Sequence, residues 1–189
     1  MKGQHIAALA IVSSSIFTAG HVVADEGKWA LKSPTGISFS EFKGYESWTM
    51  IGSSQPDDGS GCGSSPDPGC IKSILGNATL VKAYSQGIPF NGKPVPDGAA
   101  FAKIEWAKAR ETVPYPVTVP GKLAEVAFML KDSKRFPNTN GWGYATFRYD
   151  AAAGAFTPYG DGPQFVYACH ACHTIVRDND YVFTEYAPR

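Results

Sequence analysis

Near its C-terminal end the chain reads Cys169-His170-Ala171-Cys172-His173, and this run constrains the fold more than any other feature. Residues three apart on one helical turn share a face, so both thiols point the same way and the next imidazole follows them. Such a turn can hold one planar group through two thioether bonds and present a nitrogen ligand to a metal at its centre. This is the attachment pattern of c-type haem, with His173 as the proximal iron ligand. The rest of the chain must then leave room against that turn. A thioredoxin-like redox pair would follow a strand in a βαβ setting, which the sequence lacks. A zinc site would need further ligands, and the other cysteines, Cys62 and Cys70, lie far upstream.

The first 24 residues read as a secretory signal. Met1-Lys2 is a short basic start, Ile6 to Gly20 is largely apolar, and Val22-Val23-Ala24 offers small residues for cleavage before Asp25. Ser13, Ser14 and Ser15 make the apolar run too polar and too short to favour a spanning helix; an uncleaved anchor is the rival reading. The expected organisation is a signal peptide over 1–24 and a single domain over 25–189, exported to the periplasm without stable membrane insertion. In that oxidising compartment Cys62 and Cys70 are expected to form a disulfide across the Ser/Gly/Pro/Asp-rich loop of residues 53–69.

Loss of the signal also limits the metal chemistry. His5 and His21 leave with it, so only His170 and His173 remain. His170 lies inside the attachment turn and does not reach the opposite haem face, which excludes a bis-histidine electron carrier within one chain. Met50 and Met129 remain as thioether candidates, although methionines in apolar strands more often serve packing. An iron with an open or weakly held position is expected, which favours small-ligand binding or catalysis. The full chain balances 17 Lys+Arg against 17 Asp+Glu, with no basic run interleaved with aromatics, so nucleic acid is not an expected partner.

Patterning predicts an α+β domain, mainly an antiparallel sheet with a few helices. Phe39, Phe42, Tyr45 and Trp48 have helical spacing over Ser38 to Trp48. Ile71 to Leu75 reads as a strand. Asn77 caps a short helix through Leu80, Val81 and Tyr84, with Gly87 as its stop. Asn91 to Gly98 is a turn region, and Ala99 to Trp106 reads as a strand, with helix left open by its alanines. Leu123 to Lys131 alternates, with Ala124, Val126, Phe128 and Leu130 on one face and Leu123, Glu125, Ala127, Met129 and Lys131 on the other. Trp142 to Tyr149 is a further strand, Pro163 to Val176 a helix, and Tyr181 to Tyr186 extended.

From about Tyr45 to Tyr186 the chain resembles the cytochrome P-460 family of periplasmic c-type haem proteins. The resemblance rests on Gly44-Tyr45-Glu46-Ser47-Trp48-Thr49-Met50-Ile51-Gly52, Pro96-Asp97-Gly98 followed by Lys103, Lys131-Asp132-Ser133-Lys134-Arg135-Phe136 with Gly141-Trp142, the haem motif, and Tyr181-Val182-Phe183-Thr184. It implies a homodimeric, mainly antiparallel β fold around a five-coordinate haem. It further implies oxidation of hydroxylamine or a related small nitrogen species, with electrons passing to a soluble cytochrome. Lys103 matches the lysine that hydroxylamine-oxidising members cross-link to the porphyrin edge. Those members place a glutamate over the distal haem face, where this chain has Ala127. Glu125, two residues earlier on the same strand face, is the candidate proton acceptor in its place, the rival reading being a surface carboxylate. A related branch, the β-type cytochromes c′, lacks the lysine and binds nitric oxide in an apolar pocket. The alternative function is therefore a nitric-oxide-binding or electron-transfer cytochrome.

Overall fold

The computed structural model describes residues 27–56, 69–112 and 114–187; the signal segment and Cys62 lie outside them. Six strands form one antiparallel sheet in sequence order: β1 (Thr49–Ser54), β2 (Cys70–Gly76), β3 (Ala100–Glu111), β4 (Val117–Lys131), β5 (Trp142–Asp150) and β6 (Ala155–Tyr159). Among the described residues two α-helices accompany it, α1 (Ala78–Tyr84) and α2 (Phe165–His173). The expected mainly antiparallel α+β architecture is the one observed.

Several elements follow directly from local chemistry. The Asn77 side chain accepts the Leu80 N–H at 3.0 Å, satisfying one of the amides a helix start leaves unpaired. The expected helix over Ser38–Trp48 is instead two short 3-10 turns, Phe39–Phe42 and Tyr45–Ser47. Gly44 between them has φ 84°, a left-handed conformation that a helix cannot contain. Ala99–Trp106 resolves as strand, and β3 and β4 both extend beyond the expected ends. β1 and β6 were not anticipated as strands. β1 is half polar, and β6 carries Pro158, which suits an edge position because proline donates no ladder hydrogen bond. The expected Pro163–Val176 helix stops as α-helix at His173 and continues as a 3-10 turn over Thr174–Asn179. Residues 182–187 run without strand pairing.

Strand alternation sends successive side chains to opposite faces, and each face is covered differently. On one, Ala102, Val126, Phe128, Ala145 and Phe147 pack against Phe39, Phe42 and Tyr45 from the 3-10 turns. Phe42 stacks on Phe128 with centroids 3.9 Å apart. Fully burying a ring of this size contributes about 1.5–3 kcal/mol, so this face is the main core. The second face carries Ile74, Phe101, Met129, Tyr144 and Trp142 beneath α1, α2 and the C-terminal segment around Val182. That cover is incomplete, and the opening it leaves is the site.

Candidate functional site

Cross-strand register orders the second face into rows. Phe101 pairs with Met129 and Met129 with Tyr144. The next row runs Ile74, Lys103, Ala127 and Thr146 across β2 to β5, and the one beyond it runs Lys72, Glu105, Glu125 and Arg148. A cavity of about 440 Å³ opens over the first two rows and reaches Lys72 in the third. Its walls include Phe101, Met129 and Tyr144 from the sheet, Lys103 and Ala127 from the second row, and Cys169, Cys172 and His173 from α2.

The helix delivers its three candidate residues to one side of the cavity, as the spacing requires. Both thiols are free. Cys169 is the more enclosed; burial pushes its thiol up to about 11, against an opposing pull from the Lys103 ammonium. It is therefore a protonated thiol at neutral pH. The His173 ring lies edge-on to Phe183 at 4.9 Å and tilted against Tyr144 at 5.0 Å between centroids. His173 Nδ1 is 2.7 Å from the Tyr181 carbonyl oxygen. A carbonyl can only accept, so Nδ1 carries the proton and Nε2 keeps its lone pair. Burial also holds this imidazole below its ordinary pKa, so it is a neutral base at neutral pH. His170 is occupied differently, with Nδ1 3.2 Å from the Tyr144 hydroxyl and its ring 4.5 Å from that of Tyr181.

Lys103 and Glu125 are brought together, although not as a proton acceptor over the haem face would require. Lys103 lines the cavity and Glu125 does not. Residues two apart on a strand are roughly 6–7 Å apart along it, which puts Glu125 one row beyond Ala127. It is no surface carboxylate either, being only 4% exposed. Lys103 Nζ connects the two rows, 3.4 Å from Glu125 Oε1 and 3.3 Å from Glu105 Oε2.

Glu105 was not anticipated. It is fully buried, faces Glu125 directly across the β3–β4 ladder, and neither of its oxygens has a well-aligned hydrogen-bond donor. Lys103 and the more distant Lys72, at 3.8 Å, supply charge without good geometry. The signal that marks it in the sequence is its spacing of two from Lys103, which puts both on one strand face. Burial raises its pKa, the neighbouring Glu125 carboxylate adds to the rise, and Lys103 and Lys72 oppose it.

This buried carboxyl gives a stability prediction. Its folded-state pKa lies above the unfolded value, so the folded chain holds that proton more tightly. The contribution favours folding at low pH and is lost as pH rises from the ordinary carboxyl value towards the folded one. Glu105→Gln removes that loss, while Lys72 and Lys103 keep Glu125 as a counter-charge. The variant should be more stable at pH 7 by about 1 kcal/mol, the low end for replacing a buried charge, or roughly 2–4 °C in Tm. The advantage should vanish below about pH 4. Thermal unfolding across pH checks this, and a wild type more stable at every pH would contradict it.

Of the methionines, Met129 lines the cavity and Met50 does not; Met50 is 46% exposed on β1. Cys70 is buried in β2, but its expected partner Cys62 lies outside the described residues. Among the described residues no cluster of three or more His, Cys, Asp or Glu is arranged for a metal ion, and no helix is long and apolar enough to cross a membrane.

The residues present fit a haem. The cavity lies within the usual range of about 300–1,000 Å³ for cofactor sites. Its walls are mainly apolar, two thiols sit one turn apart, and a neutral imidazole directs a lone pair from the same helix. A comparison with curated proteins finds no match to this chain. The family model described as Cytochrome P460 matches residues 42–184, a span that takes in Lys103, both cavity cysteines and His173. With most of its length matched and a site that suits the cofactor, the chain belongs to the cytochrome P460 family and is a haem-binding cytochrome.

Proposed function

We propose that this protein is an exported mono-haem c-type cytochrome that oxidises hydroxylamine or a related small nitrogen species. The observation that carries the reading is a cavity that joins an apolar wall, an oriented imidazole and Lys103, with the buried Glu105 and Glu125 paired to Lys103 one row behind that wall. Cys169 and Cys172 would hold the cofactor by thioether bonds, and His173 Nε2 would be its proximal ligand. When bound, the haem supplies an iron centre that binds the substrate and takes up its electrons. Lys103, on the cavity wall, would meet the porphyrin edge, where a cross-link exchanges one Nζ–H and one ring C–H for a C–N bond and gives up two electrons to a two-electron oxidant such as a peroxide. Glu125 is the proton acceptor in this scheme, reached through Lys103 because it stands one row behind the wall. Phe101, Met129 and Val182 keep the site apolar and limit water.

Electrons would leave to a soluble cytochrome, and a second copy of the chain is the expected partner in a homodimer. Ile175, 78% exposed just beyond α2, and Phe183, 48% exposed on the cavity rim, are apolar surface consistent with docking there. Export to the periplasm and a Cys62–Cys70 disulfide belong to the same proposal and are supported by the leader-like start of the chain. The alternative is a nitric-oxide-binding or electron-transfer cytochrome. Ala127 favours it by leaving an apolar position on the cavity wall, and Met129 by standing there as a weak thioether candidate.

Anaerobic turnover of hydroxylamine with an artificial electron acceptor, monitored with the optical spectrum, separates these readings. Slow turnover by a high-spin haem protein is expected. No turnover, in a protein whose ferrous haem is low-spin or binds nitric oxide alone, would move the assignment to the alternative.

A further inference from the structure

The His173 ring is oriented by a carbonyl whose own position is unusual. Asp180 and Tyr181 both have positive φ, 49° and 66°, although neither is glycine. A bulky residue in this region is strained, so the turn persists only where its surroundings hold it. Those surroundings are specific. Lys131, at the end of β4 and 5% exposed, places Nζ 3.0 and 2.9 Å from the two Asp180 carboxylate oxygens and donates to the Asn140 carbonyl at 2.9 Å. The Val95 amide donates to Asp180 Oδ2 at 2.8 Å, and the Trp142 indole N–H donates to the Asp180 carbonyl at 2.8 Å. Lys131 Nζ also sits 4.9 Å above the centre of the Trp142 ring. Both ends of the Asp180 residue, side chain and carbonyl, are therefore fastened to the adjoining ends of β4 and β5. The next carbonyl along the chain is the one His173 Nδ1 contacts.

We propose that Lys131, Asp180 and Trp142 are positioning residues for the axial ligand: they hold the Tyr181 carbonyl where it fixes the tautomer and rotation of His173. The inference rests on His173 being the iron ligand. A hydrogen bond from the far ring nitrogen to an acceptor makes the ligating nitrogen more basic, and loss of such a partner changes the metal's properties. A stronger donor stabilises the ferric state and strengthens the iron–imidazole bond. The clamp thus tunes the iron from residues that do not line the cavity. It also accounts for Lys131 and Trp142, two residues of the family-like run that the haem chemistry leaves unexplained.

The test uses the purified holoprotein with Asp180→Asn, which keeps the side chain's shape and removes its charge, and Trp142→Phe, which keeps a ring and removes the donor. Both retain Cys169 and Cys172, so haem content should be unchanged. Resonance Raman of the ferrous protein reads the iron–histidine stretch directly, and spectroelectrochemistry reads the midpoint potential. In each variant the stretch should fall in frequency or split into two populations, and the potential should rise. A merely structural role would lower Tm and move neither. Unchanged stretch and potential in both folded variants would overturn the inference. If Trp142→Phe fails to fold, Asp180→Asn decides alone, and Lys131→Met replaces the missing arm. A wild-type ferrous spectrum with no iron–histidine band, unaltered by His173→Gly, would instead remove His173 as the ligand, and the failure would then lie in the parent reading.

Discussion

Replacing both Cys169 and Cys172 with alanine should leave no haem on the denatured chain, whereas wild type should retain one haem per chain. The expected change is complete because both covalent links are lost together. The two thiols stand one helical turn apart on α2 and line the same cavity, so each can reach one side of a single porphyrin. Either single variant should keep a haem through the remaining thioether. Extraction into acidified organic solvent, followed by absorbance of the protein and solvent phases, measures this. Release of all haem from the wild type would refute covalent attachment. It would still leave a haem-binding protein, since His173 and the apolar walls do not depend on the thioethers.

The second large effect concerns proton removal. Oxidation of hydroxylamine takes protons as well as electrons from the substrate, and a positioned general base is worth about 10²–10⁴-fold. Ala127 has no group to serve. Glu125 meets the cavity wall through Lys103 Nζ, which Glu105 also meets at nearly the same distance, and Lys72, on the same wall, stands 3.8 Å from Glu105. The two carboxylates therefore share the Lys103 contact, and either can partly replace the other. Glu125→Gln should lower kcat to the small end of that range, roughly 10²-fold, and Glu105→Gln with Glu125→Gln should lower it further. Ala127→Glu, which puts a carboxylate on the cavity wall itself, should raise turnover above wild type. Steady-state rates with an artificial acceptor settle the point. Rates untouched in the double variant would leave the cluster outside the mechanism.

These effects bear on how the two functional readings differ physically. A ligand-binding cytochrome needs an apolar wall and no proton outlet, and burying two carboxylates beside it would be a cost without return. The Glu105–Glu125 pair is such a cost, since charge is expensive to bury without good pairing, and Glu105 lacks aligned donors. That imbalance gives the hydroxylamine-oxidising reading its weight.

Much of this site was legible along the chain because it depends on local periodicity. A Cys-x-x-Cys-His run commits one helical turn to one group whatever surrounds it. Alternation in Leu123–Lys131 places Glu125, Ala127 and Met129 on one face whatever the partner strand, and the Asn77 cap is set by its own side chain. What lay beyond local pattern was everything decided by register. Glu105 in isolation is a polar residue alternating with apolar ones, the usual appearance of a solvated strand face. Only the pairing of β3 with β4 sets it opposite Glu125, and only the covering segments deprive it of water. The same holds for Asp180. Its neighbours in sequence give no hint that Lys131, forty-nine positions earlier, would bind it. A strand's side-chain period is an intrinsic property of the backbone, whereas cross-strand neighbours and the water left between them belong to the assembled sheet.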